Sequence, residues 1–120
     1  MNSRFRIMVV DDDPRIRRTL SDILNLNGYR VVEAASGEEA LSRDLQVDCV
    51  LSDNKMPGMS GVELFEAVQK IRPGIPVILM TAFATNDLIR RGLQAGVIAV
   101  MEKPLDIEQL LGYCNFFQKL

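Results

Sequence analysis

With 120 residues, 48% of them hydrophobic and 25% charged, the chain is long enough to form one packed domain without disulfides or a structural metal. Its net charge of −2 argues against general nucleic-acid binding by this segment, and no apolar run approaches the roughly 20 residues of a membrane span. There is no histidine, which excludes any histidine base, metal ligand or phosphocarrier within these residues.

Met1-Asn2-Ser3-Arg4-Phe5 lacks the apolar region of a signal peptide, and a cytoplasmic location is expected. Arg4 to Val10 predicts a first strand in which Ile7, Met8, Val9 and Val10 do not alternate with polar residues, the pattern of a strand covered on both faces. Asp11, Asp12 and Asp13 follow at once. Asp13-Pro14 is a helix start, an N-cap followed by proline at the first helical position. Ile16, Leu20, Ile23 and Leu24 mark one helical face, and Asn27-Gly28 ends it. The arginines at 15, 17 and 18, and those at 90 and 91, read as solvated helix faces.

Val31 and Val32 centre a second strand. Ser36 and Glu39 have capping-box spacing for a short helix carrying Ala40 and Leu41. Cys49-Val50-Leu51 is a third buried strand, with Asp53 where the apolar run stops. The loop Met56-Pro57-Gly58 leads to Ser60 and Glu63, a second capping box, and Leu64, Phe65, Val68 and Ile71 are the expected buried stripe of the next helix. Pro73-Gly74 breaks it. Pro76 to Met80 predicts a fourth strand, closing on Thr81-Ala82. A fourth helix over roughly Thr85 to Gln94 carries Leu88, Ile89 and Leu93, and Gly96 stops it. Val97 to Met101 is a fifth strand, ending at Glu102-Lys103-Pro104. Asp106 caps a last helix with Ile107, Leu110, Leu111 and Cys114 facing inward. The two cysteines, Cys49 and Cys114, lie in apolar patterns and read as buried thiols, not as a metal or redox pair.

Strands alternating with helices over short connections predict an α/β domain, a doubly wound parallel sheet. In such a sheet the polar groups just past the strands share one edge: Asp11 and Asp12 after the first, Asp53 at the third, Thr81 at the fourth and Lys103 at the fifth. In the strand order 2-1-3-4-5 the four contributing strands are neighbours and these groups converge. Crowded carboxylates raise one another's pKa unless a cation intervenes. An all-oxygen ligand set selects a hard ion, Mg²⁺ for a site that also handles phosphate. A carboxylate oxygen of Asp53 can then attack phosphorus. Lys103 and Mg²⁺ would offset the charge on the phosphoryl oxygens, and the Thr81 hydroxyl would hydrogen-bond one of them.

The stretches VVDDDPRIR, LSDNKMPGMSG, LMTAFA and MEKPLD, in this order across essentially the whole chain, resemble the receiver domain of two-component response regulators. The resemblance implies the flavodoxin-like (βα)5 fold in the order 2-1-3-4-5, with residues 1–120 as one receiver domain, standing alone or as the N-terminal part of a longer regulator. It implies Asp53 as phosphoacceptor, Thr81 as switch hydroxyl and Lys103 as phosphate-binding lysine. Mg²⁺ would be held by Asp11, Asp12 and Asp53 and by the backbone carbonyl of Lys55, with Asp12 a direct ligand. Lys103-Pro104 is expected to be cis. The donor would be a phosphohistidine on a histidine kinase or histidine phosphotransfer protein. The output would pass through the face of helix four, strand five and helix five, also a homodimer surface. No nucleic-acid or membrane contact by this domain is implied. Such a domain catalyses only its own phosphorylation and slow dephosphorylation and is not a turnover enzyme.

The sequence departs from the family at three positions. Three residues before Lys103 stands Val100, where Tyr or Phe is usual, so a threonine–aromatic relay cannot operate in its familiar form. Two residues after Asp53 and after Thr81 stand Lys55 and Phe83, neither suited to orienting an attacking water, which predicts a long-lived phosphoryl group. A rival reading is an aspartate-nucleophile phosphatase of the haloacid dehalogenase type. Asp11 and Asp13 have its Asp-x-Asp spacing, but Arg15 stands where Thr or Val is usual, and no cap domain fits this length. A phosphorylation-independent docking domain is the other rival. A flavin module lacks its Ser/Thr-rich phosphate loop here. Phe116, Phe117 and Leu120 finish the core, form a dimer face or lead into a further domain.

Overall fold

The structure, a computed structural model, describes residues 5–119; Arg4 and Leu120, for which a strand start and an apolar helix end are expected, lie outside them. The strands are β1 (Arg6–Val10), β2 (Arg30–Ala34), β3 (Cys49–Asp53), β4 (Val77–Thr81) and β5 (Ala99–Glu102). They alternate with α1 (Pro14–Leu26), α2 (Gly37–Ser42), α3 (Gly61–Ile71), α4 (Asn86–Ala95) and α5 (Ile107–Gln118). All strand pairs are parallel, in the order β2-β1-β3-β4-β5, the flavodoxin-like arrangement expected from the sequence.

The lack of alternation in the strands follows from this layering. Successive residues of β1 enter different cores. Met8 and Val10 pack with Val50, Leu64, Val68 and Leu79 on one face, and Ile7 and Val9 with Leu24, Leu51, Ile78 and Leu110 on the other. A sheet covered on both sides requires an apolar residue at every central position. Cys49 and Cys114 both belong to the second core as free, buried thiols. Burial pushes the Cys114 thiol up to about 11 and Cys49 higher still, so both stay protonated and inert at neutral pH.

The helix starts are set by local chemistry. The Asp13 side chain accepts the Arg15 N–H with Pro14 at the first helical position; Thr85 and Asp106 cap α4 and α5 in the same manner. Ser60 and Glu63 form the reciprocal capping box of α3. At α2 only half of the expected box forms: Ser36 Oγ accepts the Glu39 N–H, but the Glu39 carboxylate accepts from Ala35 and not from Ser36.

Other expectations are corrected. Ile71 is 57% exposed and not part of the α3 stripe: it is the last helical residue, and Arg72, donating to the carbonyls of Leu45 and Val47, covers that end instead. Leu93 is 48% exposed, and α4 buries Leu88 and Gly92. β4 begins at Val77 and β5 at Ala99, each later than the apolar run suggests, because pairing starts there, at Val50–Val77 and Ile78–Ala99, while Val97 is buried ahead of its strand. Phe116 is exposed at 59%, leaving Leu110 and Cys114 as the buried residues of α5.

One glycine fixes how closely α3 approaches β3. A Cβ on Gly61 would sit 2.8 Å from the Asp53 carbonyl oxygen, 2.8 Å from Leu79 Cδ2 and 2.9 Å from Asn54 Cα. Two of these are backbone atoms that cannot swing aside. Gly61→Ala is therefore expected to lower the unfolding free energy in urea by about 2 kcal/mol. Gly112→Ala, in open space on α5, is expected to raise it by about 0.5–1 kcal/mol through lower chain entropy. Equal stability of Gly61→Ala and wild type would show that the α3–β3 approach has slack.

Candidate functional site

β1 and β3 are paired neighbours although α1, β2 and α2 separate them in the chain, because β2 lies on the far side of β1. The strand order reverses there, and the crevice outside the carboxyl ends of such strands is where open α/β sheets place their sites. β1 delivers Asp11 and Asp12 into it, and β3 ends on Asp53. Each of these three residues places a carboxylate oxygen within 4.8 Å of the other two. Asp11 and Asp53 are buried and Asp12 is exposed.

Lys103 Nζ donates to Asp11 Oδ2 at 2.9 Å and lies 3.2 Å from Asp53 Oδ1, so one ammonium bridges the carboxylates of two strands. Burial pulls the Lys103 ammonium down, but the hydrogen bond and charge of Asp11, then the charge and hydrogen bond of Asp53, outweigh it. Its pKa stands above the ordinary lysine value. Burial, then the charge of Asp11, pushes the Asp53 carboxyl up; Lys103 opposes this, and Asp12 adds to it. Three carboxylates facing one ammonium leave an excess of negative charge on oxygen donors, a set that fits a hard divalent ion.

Loops hold these groups in place. Asn54 ties off the β3–α3 connection from both ends: its N–H donates to Met80 O at 2.8 Å, its carbonyl accepts from Gly61 N at 2.9 Å, and its side chain accepts from Val62 N at 3.3 Å. Lys55, exposed in that loop, presents a backbone carbonyl that accepts no hydrogen bond among the described residues. Thr81 ends β4 on the same edge, but its hydroxyl engages the loop beyond it. Oγ1 accepts the Phe83 N–H at 3.2 Å and lies 3.4 Å from the Phe83 carbonyl oxygen. Phe83 itself is 75% exposed and packs against no core. The Lys103–Pro104 peptide is cis, as expected. Thus Asp11, Asp12, Asp53 and Lys103 are brought together, while Thr81 shares their edge with its hydroxyl turned to Phe83.

Arg17, read from the sequence as a solvated residue, is instead half-buried beside the site: it donates to Asp11 O at 2.6 Å and to Glu33 at 3.1 Å. Its spacing from the acid pair, one helical turn past the N-cap, was the available signal. Glu102 was also missed; its carboxylate accepts the Ala84 N–H at 2.9 Å and so anchors the β4–α4 loop. Nothing in the strand pattern marks it, since the contact is non-local.

The response regulator receiver domain model matches residues 7–115. The chain is 36% identical over 107 residues to sporulation initiation phosphotransferase F of Bacillus subtilis, covering 88% of this chain and 86% of that protein. It is 40% identical over 107 residues to the transcriptional regulatory protein GlrR of Escherichia coli, covering 87% of this chain and only 24% of that longer protein. Among solved structures, the BeF3-activated DrrB receiver domain superimposes with a TM-score of 0.90 at 30% identity, over 98% of this chain and 100% of that one.

The raised Asp53 pKa has a consequence for stability. Its ionised form is disfavoured in the folded chain, so a destabilisation is fully present above the folded pKa. That destabilisation is relieved as pH falls through the folded value towards the ordinary carboxylate value. In metal-free buffer at pH 7, Asp53→Asn is expected to melt about 3–5 °C above wild type, with the gap narrowing as pH is lowered into the carboxylate range. A wild type at least as stable as Asp53→Asn at pH 7 contradicts the charge crowding.

Proposed function

The chain belongs to the response regulator receiver family, and on that premise we propose that it is a phosphorylation-activated signalling switch with Asp53 as the phosphoacceptor. The observation that carries the reading is the convergence of Asp11, Asp12, Asp53 and Lys103 on one sheet edge. An Asp53 carboxylate oxygen bonds to phosphorus as the N–P bond of a partner's phosphohistidine breaks, the electron pair leaving with the imidazole nitrogen. Lys103 favours the ionised form of Asp53 against burial and the charge of Asp11, and stays within reach of the phosphoryl oxygens. Such a transfer needs position and charge stabilisation more than bond-making help. Mg²⁺, held by Asp11, Asp12, Asp53 and the Lys55 carbonyl, would supply further charge stabilisation. The Thr81 hydroxyl would exchange its Phe83 partner for a phosphoryl oxygen.

The partner is a histidine kinase or a histidine phosphotransfer protein. An apolar groove of about 580 Å³, lined by Ile16, Leu20, Ile23, Leu105 and Ile107, opens beside Lys103 and gives such a partner a surface next to the reacting group. Residues 1–120 act as one receiver domain that catalyses its own phosphorylation and slow dephosphorylation without turnover of a free substrate, in the cytoplasm. Among the described residues no helix is long and apolar enough to cross a membrane. Output passes through the α4-β5-α5 face, which also serves as the homodimer surface; nucleic acid is not a direct ligand of this domain. Val100 in place of an aromatic favours phosphorylation-independent docking as the second reading, against which the complete acid and lysine set weighs.

Incubation with acetyl phosphate and Mg²⁺, followed by intact-mass measurement, is expected to give a single phosphate adduct on wild type and none on Asp53→Ala or in excess chelator. Wild type without an adduct supports the docking reading, and steady release of inorganic phosphate from small esters supports the phosphatase. With Lys55 and Phe83 offering no group to orient water, the adduct is expected to persist for minutes to hours after removal of the donor. Loss within seconds contradicts that.

A further inference from the structure

Asp12 is the exposed member of the acid cluster, and its carboxylate has no hydrogen bond or ion pair among the described residues. Its position is therefore set by its backbone. That backbone is held on its N-terminal side, where the Asp11 N–H donates to Ala34 O at 3.2 Å and the Asp11 carbonyl, half of the Asp11–Asp12 peptide, accepts from Arg17 at 2.6 Å; on its other side the Asp13 N–H donates to Asp11 Oδ1 at 2.9 Å. The Arg17 side chain is only 18% exposed and is oriented by Glu33 of β2, at 3.1 Å from its Nε. Arg17 thus links α1, β2 and the acid-bearing loop through one planar group. A guanidinium suits this role because its fork can serve two acceptors in a fixed geometry, whereas an ammonium is a single point of charge.

We propose that Arg17 is a positioning residue for the cation site: by fixing the Asp11–Asp12 peptide, with Glu33 as its orienting partner, it holds the Asp12 carboxylate where Asp11 and Asp53 share a divalent ion. This rests on the reading of the acid cluster as a Mg²⁺ site. Positioning and plain electrostatics predict opposite signs. A fixed positive charge next to the acid pair repels a second cation, so its removal by Coulomb's law alone tightens Mg²⁺ binding. Loss of a positioning group weakens it, by about tenfold where an outer-shell partner of a metal ligand is removed.

The test is a Mg²⁺ titration of the whole chain, read as the rise in melting temperature and by calorimetry. Arg17→Gln, Arg17→Lys, Glu33→Gln and Asp12→Ala are compared with wild type. The Mg²⁺ dissociation constant is expected to rise about tenfold in Arg17→Gln. It should also rise in Arg17→Lys, which keeps the charge but not the fork, and by a smaller factor in Glu33→Gln. The metal-free melting temperature reports any loss of fold separately; should Arg17→Gln fail to fold, Glu33→Gln decides. Mg²⁺ binding by Arg17→Gln as tight as in wild type, or tighter, overturns the positioning role. A wild type that does not respond to Mg²⁺, or an Asp12→Ala that responds equally, overturns the site reading itself.

Discussion

The reach of Lys103 across the sheet edge is the constraint on which the site depends. Lys103 follows β5, while its partners Asp53 and Asp11 belong to β3 and β1, two and three strands away. At about 4.8 Å per strand the span to β1 is roughly 14 Å, more than a lysine side chain covers. The carboxylates must therefore meet the ammonium part-way, above the strand ends, and the Lys103 N–H donating to Thr81 O at 2.8 Å fixes where the lysine starts by extending the β4–β5 ladder. The ammonium then closes a charge bridge across four neighbouring strands. Without it, two buried carboxylates would face each other with no cation between them, an arrangement that drives protonation. The phosphoacceptor role proposed for Asp53 would need the ionised carboxylate, and the Lys103 contact favours that form.

Much of this was legible in the sequence because each element announces itself locally. Non-alternating apolar runs gave the parallel strands, caps such as Asp13-Pro14 and Ser60/Glu63 gave the helix starts, and polar residues just past the runs gave the site. Ile71 was misjudged because periodicity records which side of a helix a residue is on, not whether the neighbouring layer extends that far. Glu102 was invisible as a site residue, and Arg17 marked only by its spacing, for a related reason. Charged residues on a helix or at a strand end look alike whether they meet water or a backbone group supplied by a distant element. Gly61 and Asn54 gave weak signals, since their importance lies in how closely two backbones approach.

The β5–α4 face differs from the pattern that the family resemblance implies. With Val100 in place of an aromatic, no large ring is available to swing between inward and outward positions. α4 comes close to β5 at Gly92, where a Cβ would stand 3.1 Å from Val100 Cγ2 and 3.2 Å from Val97 Cγ2. The helix is anchored chiefly by Leu88 and this glycine contact, with Leu93 exposed beyond them. A helix held by so little buried apolar surface is inexpensive to shift as a unit. Changes at the site can therefore reach the face by moving α4 over a flat contact, with no side-chain lever.

On the proposed phosphorylation reading, such a movement would start from a competition for the proton of one hydroxyl. Thr81 Oγ1 accepts the Phe83 N–H, and Glu102 accepts the neighbouring Ala84 N–H, so the loop leading into α4 is tied down twice, once from each of β4 and β5. A phosphoryl group on Asp53 would add about −1.5 to −2 charges and strong acceptor oxygens on the same edge. Charge-assisted hydrogen bonds are roughly twice as strong as neutral ones, so the hydroxyl proton would favour a phosphoryl oxygen over the Phe83 carbonyl oxygen, 3.4 Å away. Its departure would remove one of the loop's two ties and leave Glu102 as the remaining anchor. The loop would then pivot about Ala84, just before the cap residue Thr85, and α4 would follow because its first turn is built on that cap. In this view the carboxylate of Glu102 sets the axis of the motion, and the thin packing of α4 sets its amplitude.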